Sequence, residues 1–293
     1  MILKLFKIGS KPATIAYPLP LVSFLGFCLS GDLISFVASY LFALFFFTAI
    51  NLWNHVNDAE DDFRAGRAEA EFLIYKRTEA TAFVISCYVV SSLLVFWGSK
   101  DKEIALLTFL ISALLTWIYS DKIFIGRILR RLKEDYRTEI LTYLITTMSF
   151  FLLFWTFFSK VSMIGISFAL VLSAIYLSGF FLKDIKDISA DIEAGYRTLA
   201  VVFPPGTLLK FSVFSFVVAI ILAAISPLLT FPSNLVFLFI MLIPLLYCIT
   251  GFCKHHWKID KNIISELKIY TKLHLLSILS IAVLSCFRNL SIL

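Results

Sequence analysis

Apolar runs of roughly 18 residues or more recur along this 293-residue chain, and no other feature constrains its fold as strongly. Each run is long enough to cross a bilayer as a helix. Charged residues make up 16% of the chain, where a soluble domain carries about 25%. The expected fold is therefore all-α, a polytopic membrane protein in one domain, 1–293. We place nine transmembrane helices at roughly 13–30, 33–53, 80–98, 103–120, 138–158, 162–182, 207–229, 233–252 and 270–288. Pro12, Pro18 and Pro20 fall at the start of the first, which predicts an irregular or kinked beginning. Lys4, Lys7 and Lys11 precede it without a small-residue cleavage site, so no cleavable signal peptide is expected.

The connecting segments orient the chain. Of the 26 lysines and arginines, 22 fall on the side that holds the N-terminus and the loops after the even-numbered spans. The other side has Lys100, Lys102, Lys160 and Arg288. Basic residues stay in the cytoplasm, so the N-terminus is assigned there. The net charge of +6 is then a matter of topology and contact with the lipid bilayer, and no nucleic-acid partner is inferred. The five cysteines lie in or at the ends of spans without metal-binding spacing, which suits small buried residues in a reduced compartment.

The second span ends in "AINLWNHVNDAEDDFRAGR". Asn51, Asn54, Asp58 and Asp62 are spaced three, four and four apart, one stripe on a helix that continues out of the span. The sixth span ends in "FFLKDIKDISADIEAGYRT", where Asp184, Asp187 and Asp191 repeat the pattern. Asp58 and Asp187, Asp62 and Asp191, and Gly66 and Gly195 all lie 129 residues apart. That offset predicts a four-helix pseudo-repeat, 13–137 against 138–268, plus one final helix. Both stripes fall on the cytoplasmic side. If they face each other, their carboxylates need cations, because close like charges raise one another's pKa. Oxygen donors favour hard divalent ions, Mg²⁺ first, and open metal positions suit a bridging diphosphate. A cation transporter is the competing reading of these acids. Its carboxylates belong nearer the bilayer midplane, and here the spans' middles are nearly free of them.

Asn54-x3-Asp58-x3-Asp62 and Lys183-Asp184-x2-Asp187-x3-Asp191 resemble the two aspartate-rich motifs of the UbiA superfamily of intramembrane prenyltransferases. "SKPATIAYPLPLVSFLG", with Lys11, looks like the family's basic, Pro-containing opening, and Tyr119-Ser120 like its Tyr-Ser/Thr step. The resemblance covers the whole chain. It implies that a polyprenyl diphosphate is bound through two or three Mg²⁺ ions and ionises to an allylic carbocation. A lipophilic acceptor then attacks, typically an aromatic quinone precursor, or in one branch a glycerol phosphate ether. It also implies that Asn54, Asp58 and Asp62 carry one metal site, and Asp187 and Asp191 the other, with Asp184 close by. Two departures stand out. His55 replaces the Asp that commonly follows the first Asn, and "AGRAEAEFL" replaces an Arg-Pro-Leu step, leaving Arg67 as the anion-binding candidate.

The residues support that chemistry on their own terms. Ionisation separates charge, and cations stabilise the leaving group; Arg67, Lys122 and Lys183 are the candidate clamps. Loops 59–79, 121–137 and 183–206 would form a cytoplasmic cap that keeps water from the carbocation. Trp53, Tyr119 and Tyr176 are candidates to face it with their rings. Glu139, outside both stripes, is expected to meet the acceptor, and His55, off the stripe, to be structural.

Overall fold

The computed structural model describes residues 1–10, 18–64, 66–183, 185 and 188–290. The expected sites Lys11, Asp184 and Asp187 lie outside the described residues. Along the chain run α1 (Ile2–Gly9), α2 (Pro18–Ser30), α3 (Leu33–Asn57), α4 (Ala59–Arg64), α5 (Ala70–Tyr75), α6 (Arg77–Gly98) and α7 (Lys102–Ser120). Then follow α8 (Tyr136–Thr156), α9 (Met163–Lys183), α10 (Ile188–Glu193), α11 (Leu199–Val202), α12 (Pro205–Ile225), α13 (Ser233–Lys254) and α14 (Ile264–Leu290). Among the described residues, eight helical stretches are long and apolar enough to cross a membrane; they match the second to ninth expected spans. The first expected span appears as the shorter apolar helix α2, and the start predicted for it lies outside the described residues.

In lipid, helices gain little from hydrophobic transfer on meeting one another, so they associate by close packing and polar contacts. Both devices are visible. Phenylalanines form the central contact: Phe42 stacks on Phe46 at 5.3 Å between centroids and on Phe157 at 5.4 Å, and Phe46 meets Phe150 at 5.8 Å. Glycines admit the larger rings. A Cβ on Gly26 would come within 2.3 Å of Phe158, and one on Gly165 within 2.3 Å of Trp155. At the membrane end away from the acid stripes, Asp32 caps α3 by accepting the Ser35 N–H at 3.0 Å, and its carboxylate binds Lys100 Nζ at 2.6 Å. Other large apolar side chains, such as Phe214 and Phe239, point outward where lipid would lie.

The expected continuous helix through both Asn51 and Asp62 is corrected by the structure. α3 stops at Asn57, Asp58 sits at its C-cap with φ −91° and ψ 2°, and α4 starts one residue later. The Asn57 side chain draws the end closed: its Nδ2 donates to Trp53 O at 2.8 Å, and its Oδ1 accepts the Lys122 N–H at 2.6 Å. α4 then ends in a turn in which Gly66 N–H donates to Phe63 O and Arg67 N–H to Asp62 O. α10 ends the same way, Gly195 N–H to Ile192 O and Tyr196 N–H to Asp191 O. Gly66 and Gly195 both adopt φ +73°, the left-handed conformation that this Schellman turn demands and that glycine enters without strain.

Candidate active site

A cavity of about 840 Å³ opens at the membrane end where α3, α7 and α9 terminate. Its mouth is polar and charged: Lys7, Asn51, Asn54, His55, Asp62, Arg67, Glu69 and Lys183 line it. Its depth is aromatic, lined by Phe46, Phe47, Phe150, Phe151, Tyr176 and Phe180. The wall helices create this gradient by their spacing. Phe46, Ile50 and Asn54 follow one another a turn apart on α3, as Tyr176, Phe180 and Lys183 do on α9.

Seven of the expected residues line the cavity together: Asn51, Asn54, Asp62, Arg67, Tyr119, Tyr176 and Lys183. Asp62 pairs with Arg67 Nη1 at 2.9 Å, and Asn51 Nδ2 donates to Gly9 O at 3.0 Å, which docks α1 against the mouth. His55 is not merely structural: it lines the cavity, with Nδ1 3.5 Å from Asp62 Oδ2. Tyr143 OH is a hub. It donates to Glu139 Oε1 at 2.8 Å and lies 2.8 Å from Tyr119 OH and 3.0 Å from Lys183 Nζ. Lys183 also lies 5.1 Å from the Tyr143 ring and 5.5 Å from the Tyr119 ring, in cation–π range.

The structure moves several expected residues away from the cavity. Asp58 turns aside because α3 ends before it; Arg131 Nη1 binds its Oδ1 at 2.7 Å and Lys133 Nζ its Oδ2 at 2.6 Å. Lys122 reaches outward to Asp61 at 3.0 Å and is not a cavity clamp. Glu139 is corrected as an acceptor contact. It is 1% exposed, and its second oxygen accepts the Leu199 N–H at 2.8 Å, so it braces α8 against α11 behind the cavity wall. Asp191 accepts Thr198 Oγ1 at 2.9 Å and is not among the cavity-lining residues. Trp53 stacks on Trp117 at 4.0 Å behind the wall, whereas Tyr119 and Tyr176 line it.

Sequence reasoning missed Arg131 and Lys133. Their loop is expected to mark topology and to cap the mouth, and only the density of six basic residues within 122–137 points to these two in particular. Burial disfavours charge on Asp58, yet the Lys133 and Arg131 charges outweigh it and hold its pKa below the ordinary aspartate value. Burial pulls Lys133 below the ordinary lysine value, an effect that Asp58 offsets only in part. Arg131 is buried too, but Asp58 and Glu134 raise its pKa. Through Tyr196, whose hydroxyl it binds, Arg131 also links the two acid-bearing segments.

Among the described residues, no three His, Cys, Asp or Glu side chains converge as a metal centre. The oxygens of Asn54 and Asp58 nevertheless form a cation site in this structure, because the Lys133 ammonium is held between them. All-oxygen donors of this kind fit a hard divalent ion.

The UbiA prenyltransferase family model matches residues 73–276. The chain belongs to the UbiA prenyltransferase family. A protein of Archaeoglobus fulgidus, itself uncharacterized, is 53% identical over 285 residues, which cover 97% of this chain and 99% of that one. In fold, the chain is similar to a solved structure from work on digeranylgeranylglyceryl phosphate synthase, at TM-score 0.71 and 19% identity, covering 97% of this chain and 99% of that one. It is also similar to a UbiA homologue of A. fulgidus bound to DMAPP and Mg²⁺, at TM-score 0.66 and 18% identity, covering 100% and 99%. This UbiA member is an integral membrane prenyltransferase, and the transporter reading of its acids falls with that assignment.

Proposed function

We propose that this UbiA enzyme transfers a polyprenyl group from its diphosphate to a lipophilic acceptor inside the cavity described above. The observation that carries the reading is the cavity's gradient, from Asn54, Asp62, Arg67 and Lys183 at the mouth to six aromatic rings in its depth. A ligand complementary to it has an anionic head and an unsaturated tail. The metal ligands in this reading are Asn54, Asp58, Asp62, Asp184, Asp187 and Asp191, and bound Mg²⁺ would supply charge to the departing diphosphate. Arg67 and Lys183 add fixed positive charge there, which favours a developing anion with little reorganisation. The aromatic depth favours a cation by its ring faces and keeps water out. The mouth belongs to the cytoplasmic side on the charge asymmetry of the loops. The pseudo-repeat, 13–137 against 138–268, is supported by the matching turns at Gly66 and Gly195.

For the acceptor, the charge at the mouth supports a lipid bearing its own phosphate over an aromatic ring. Lys7 of α1 lines the same mouth, a further fixed cation beside Arg67 and Lys183 that an acceptor's phosphate can meet. The test is pyrophosphate release from geranylgeranyl diphosphate with Mg²⁺, offering a prenylated glycerol phosphate or 1,4-dihydroxy-2-naphthoate. Transfer to the glycerol phosphate supports the proposal. Transfer to the naphthoate alone returns the acceptor to the aromatic class, and no Mg²⁺-dependent release with either refutes the site.

A further inference from the structure

Lys133 occupies an unusual place for a loop lysine. Its Nζ lies 2.9 Å from Asn54 Oδ1 and 2.6 Å from Asp58 Oδ2, while Arg131 Nη1 holds the other Asp58 oxygen at 2.7 Å. Ser120 Oγ donates to the same Asn54 oxygen at 2.8 Å. Three oxygens proposed above as metal ligands therefore already face protein cations or donors. An ammonium and a divalent ion cannot share them, because two positive charges so close repel strongly in a buried site.

Leaving is costly for Lys133. The side chains of Lys133 and Arg131 are only 16% and 2% exposed. Glu134, the next residue in the loop, is engaged by Arg131 Nε at 2.6 Å. A metal arriving alone would thus strand a poorly solvated cation, which a buried site tolerates badly. A metal arriving with a diphosphate brings the anion that a displaced Lys133 requires.

We propose that Lys133 is an internal competitor for the metal position, and that it couples divalent-cation binding to diphosphate binding; the inference rests on the metal site of the proposed function. The cation at Asn54 and Asp58 is Lys133 in the resting enzyme and a divalent ion in the loaded one. The coupling is reciprocal: diphosphate tightens metal by the same factor by which metal tightens diphosphate. Lys133 is a positioning residue that keeps Asp58 from holding a metal uselessly without substrate.

The test is Mn²⁺ binding followed by electron paramagnetic resonance on the purified full chain, with and without inorganic pyrophosphate, corrected by a protein-free titration. The wild type is expected to bind Mn²⁺ about tenfold or more tighter with pyrophosphate, a coupling of about 1.4 kcal/mol per tenfold. Lys133→Met is expected to bind Mn²⁺ alone about tenfold tighter than the wild type and to gain less from pyrophosphate. Lys133→Arg, which keeps the charge, is expected to restore weak binding of metal alone. Equal wild-type affinity with and without pyrophosphate overturns the proposal with no substitution needed. Metal-alone affinity unchanged in Lys133→Met, or raised as much in Lys133→Arg, overturns it while the metal site stands. Absence of Mn²⁺ binding under every condition overturns the metal site and this inference together.

Discussion

Replacing Glu139 by alanine tests whether the residue serves the wall of the cavity or its contents. Its two oxygens accept from Tyr143 OH and from the Leu199 N–H, both at 2.8 Å, and both donors belong to buried residues. Stranding a buried donor costs about 1–3 kcal/mol, so Glu139→Ala should cost about 2–6 kcal/mol. Glu139→Gln keeps an acceptor for one donor and turns an amide NH₂ toward the other, so its cost should be near 1–3 kcal/mol. Function should suffer too. Tyr143 OH orients Lys183 at 3.0 Å, and losing its anchor loosens a residue at the mouth. Because Lys183 is proposed to meet the diphosphate and not the acceptor, turnover with two acceptors of different class should fall by a similar factor. The assays are thermal unfolding in detergent and pyrophosphate release with both acceptors. A Glu139→Ala protein that melts with the wild type, yet changes the ratio between acceptors, would refute the brace and restore Glu139 as an acceptor contact.

Asp62→Ala should abolish Mg²⁺-dependent prenyl-diphosphate binding in a filter assay while the fold survives, and should lower turnover by on the order of a hundredfold or more, since Asp62 is the stripe carboxylate lining the cavity. Gly165→Ala should lower the unfolding temperature, at a cost of about 1–3 kcal/mol, because its Cβ would meet the Trp155 ring at 2.3 Å. A hydrogen bond from Lys100 lowers the Asp32 pKa from 3.8 to about 2, so the stability it contributes is fully present above pH 3.8 and lost as pH falls through about 2. Stability measured across that window should fall less steeply in Asp32→Asn than in the wild type.

The spans were legible because hydropathy integrates over some twenty residues, and a chance local contact cannot change such a sum. The eight long apolar helices carry the last eight expected spans. The convergence of Asn51, Asn54, Asp62 and Arg67 was legible for a similar reason, since helical spacing keeps residues three or four apart on one face. What spacing does not show depends on partners far away in the chain. Asp58 fits the stripe by spacing, but two cations more than 70 residues later pull its carboxylate aside. Glu139 looked available because nothing near it in sequence claims a carboxylate; its partner Leu199 lies 60 residues on. His55 steps off the stripe by spacing, but the helix ends two residues later, and the returning α4 brings Asp62 to within 3.5 Å.

The gradient along the cavity wall supplies what the two aspartate stripes alone lack. A diphosphate site made only of acid and metal would hold the leaving group but offer nothing to the cation left behind. Here each wall helix changes character over about two turns. α3 passes from Phe46 to Asn54, and α9 from Tyr176 to Lys183, in seven or eight residues, about 10–12 Å of helix. The change falls at a similar depth on both helices, so a ligand that satisfies one satisfies the other. It must also change character over that length, anionic where Lys183 and Arg67 stand and unsaturated where Phe150 and Phe151 stand. Tyr143 lies at the boundary, its hydroxyl toward Lys183 and its ring stacked on Phe180 at 4.6 Å. That is the depth at which the bond between head and tail would break. Tyr143→Phe keeps the ring and removes the hydroxyl, so it should leave the affinity for an uncharged isoprenoid alcohol unchanged while weakening that for its diphosphate. An equal loss for both ligands would place the boundary elsewhere.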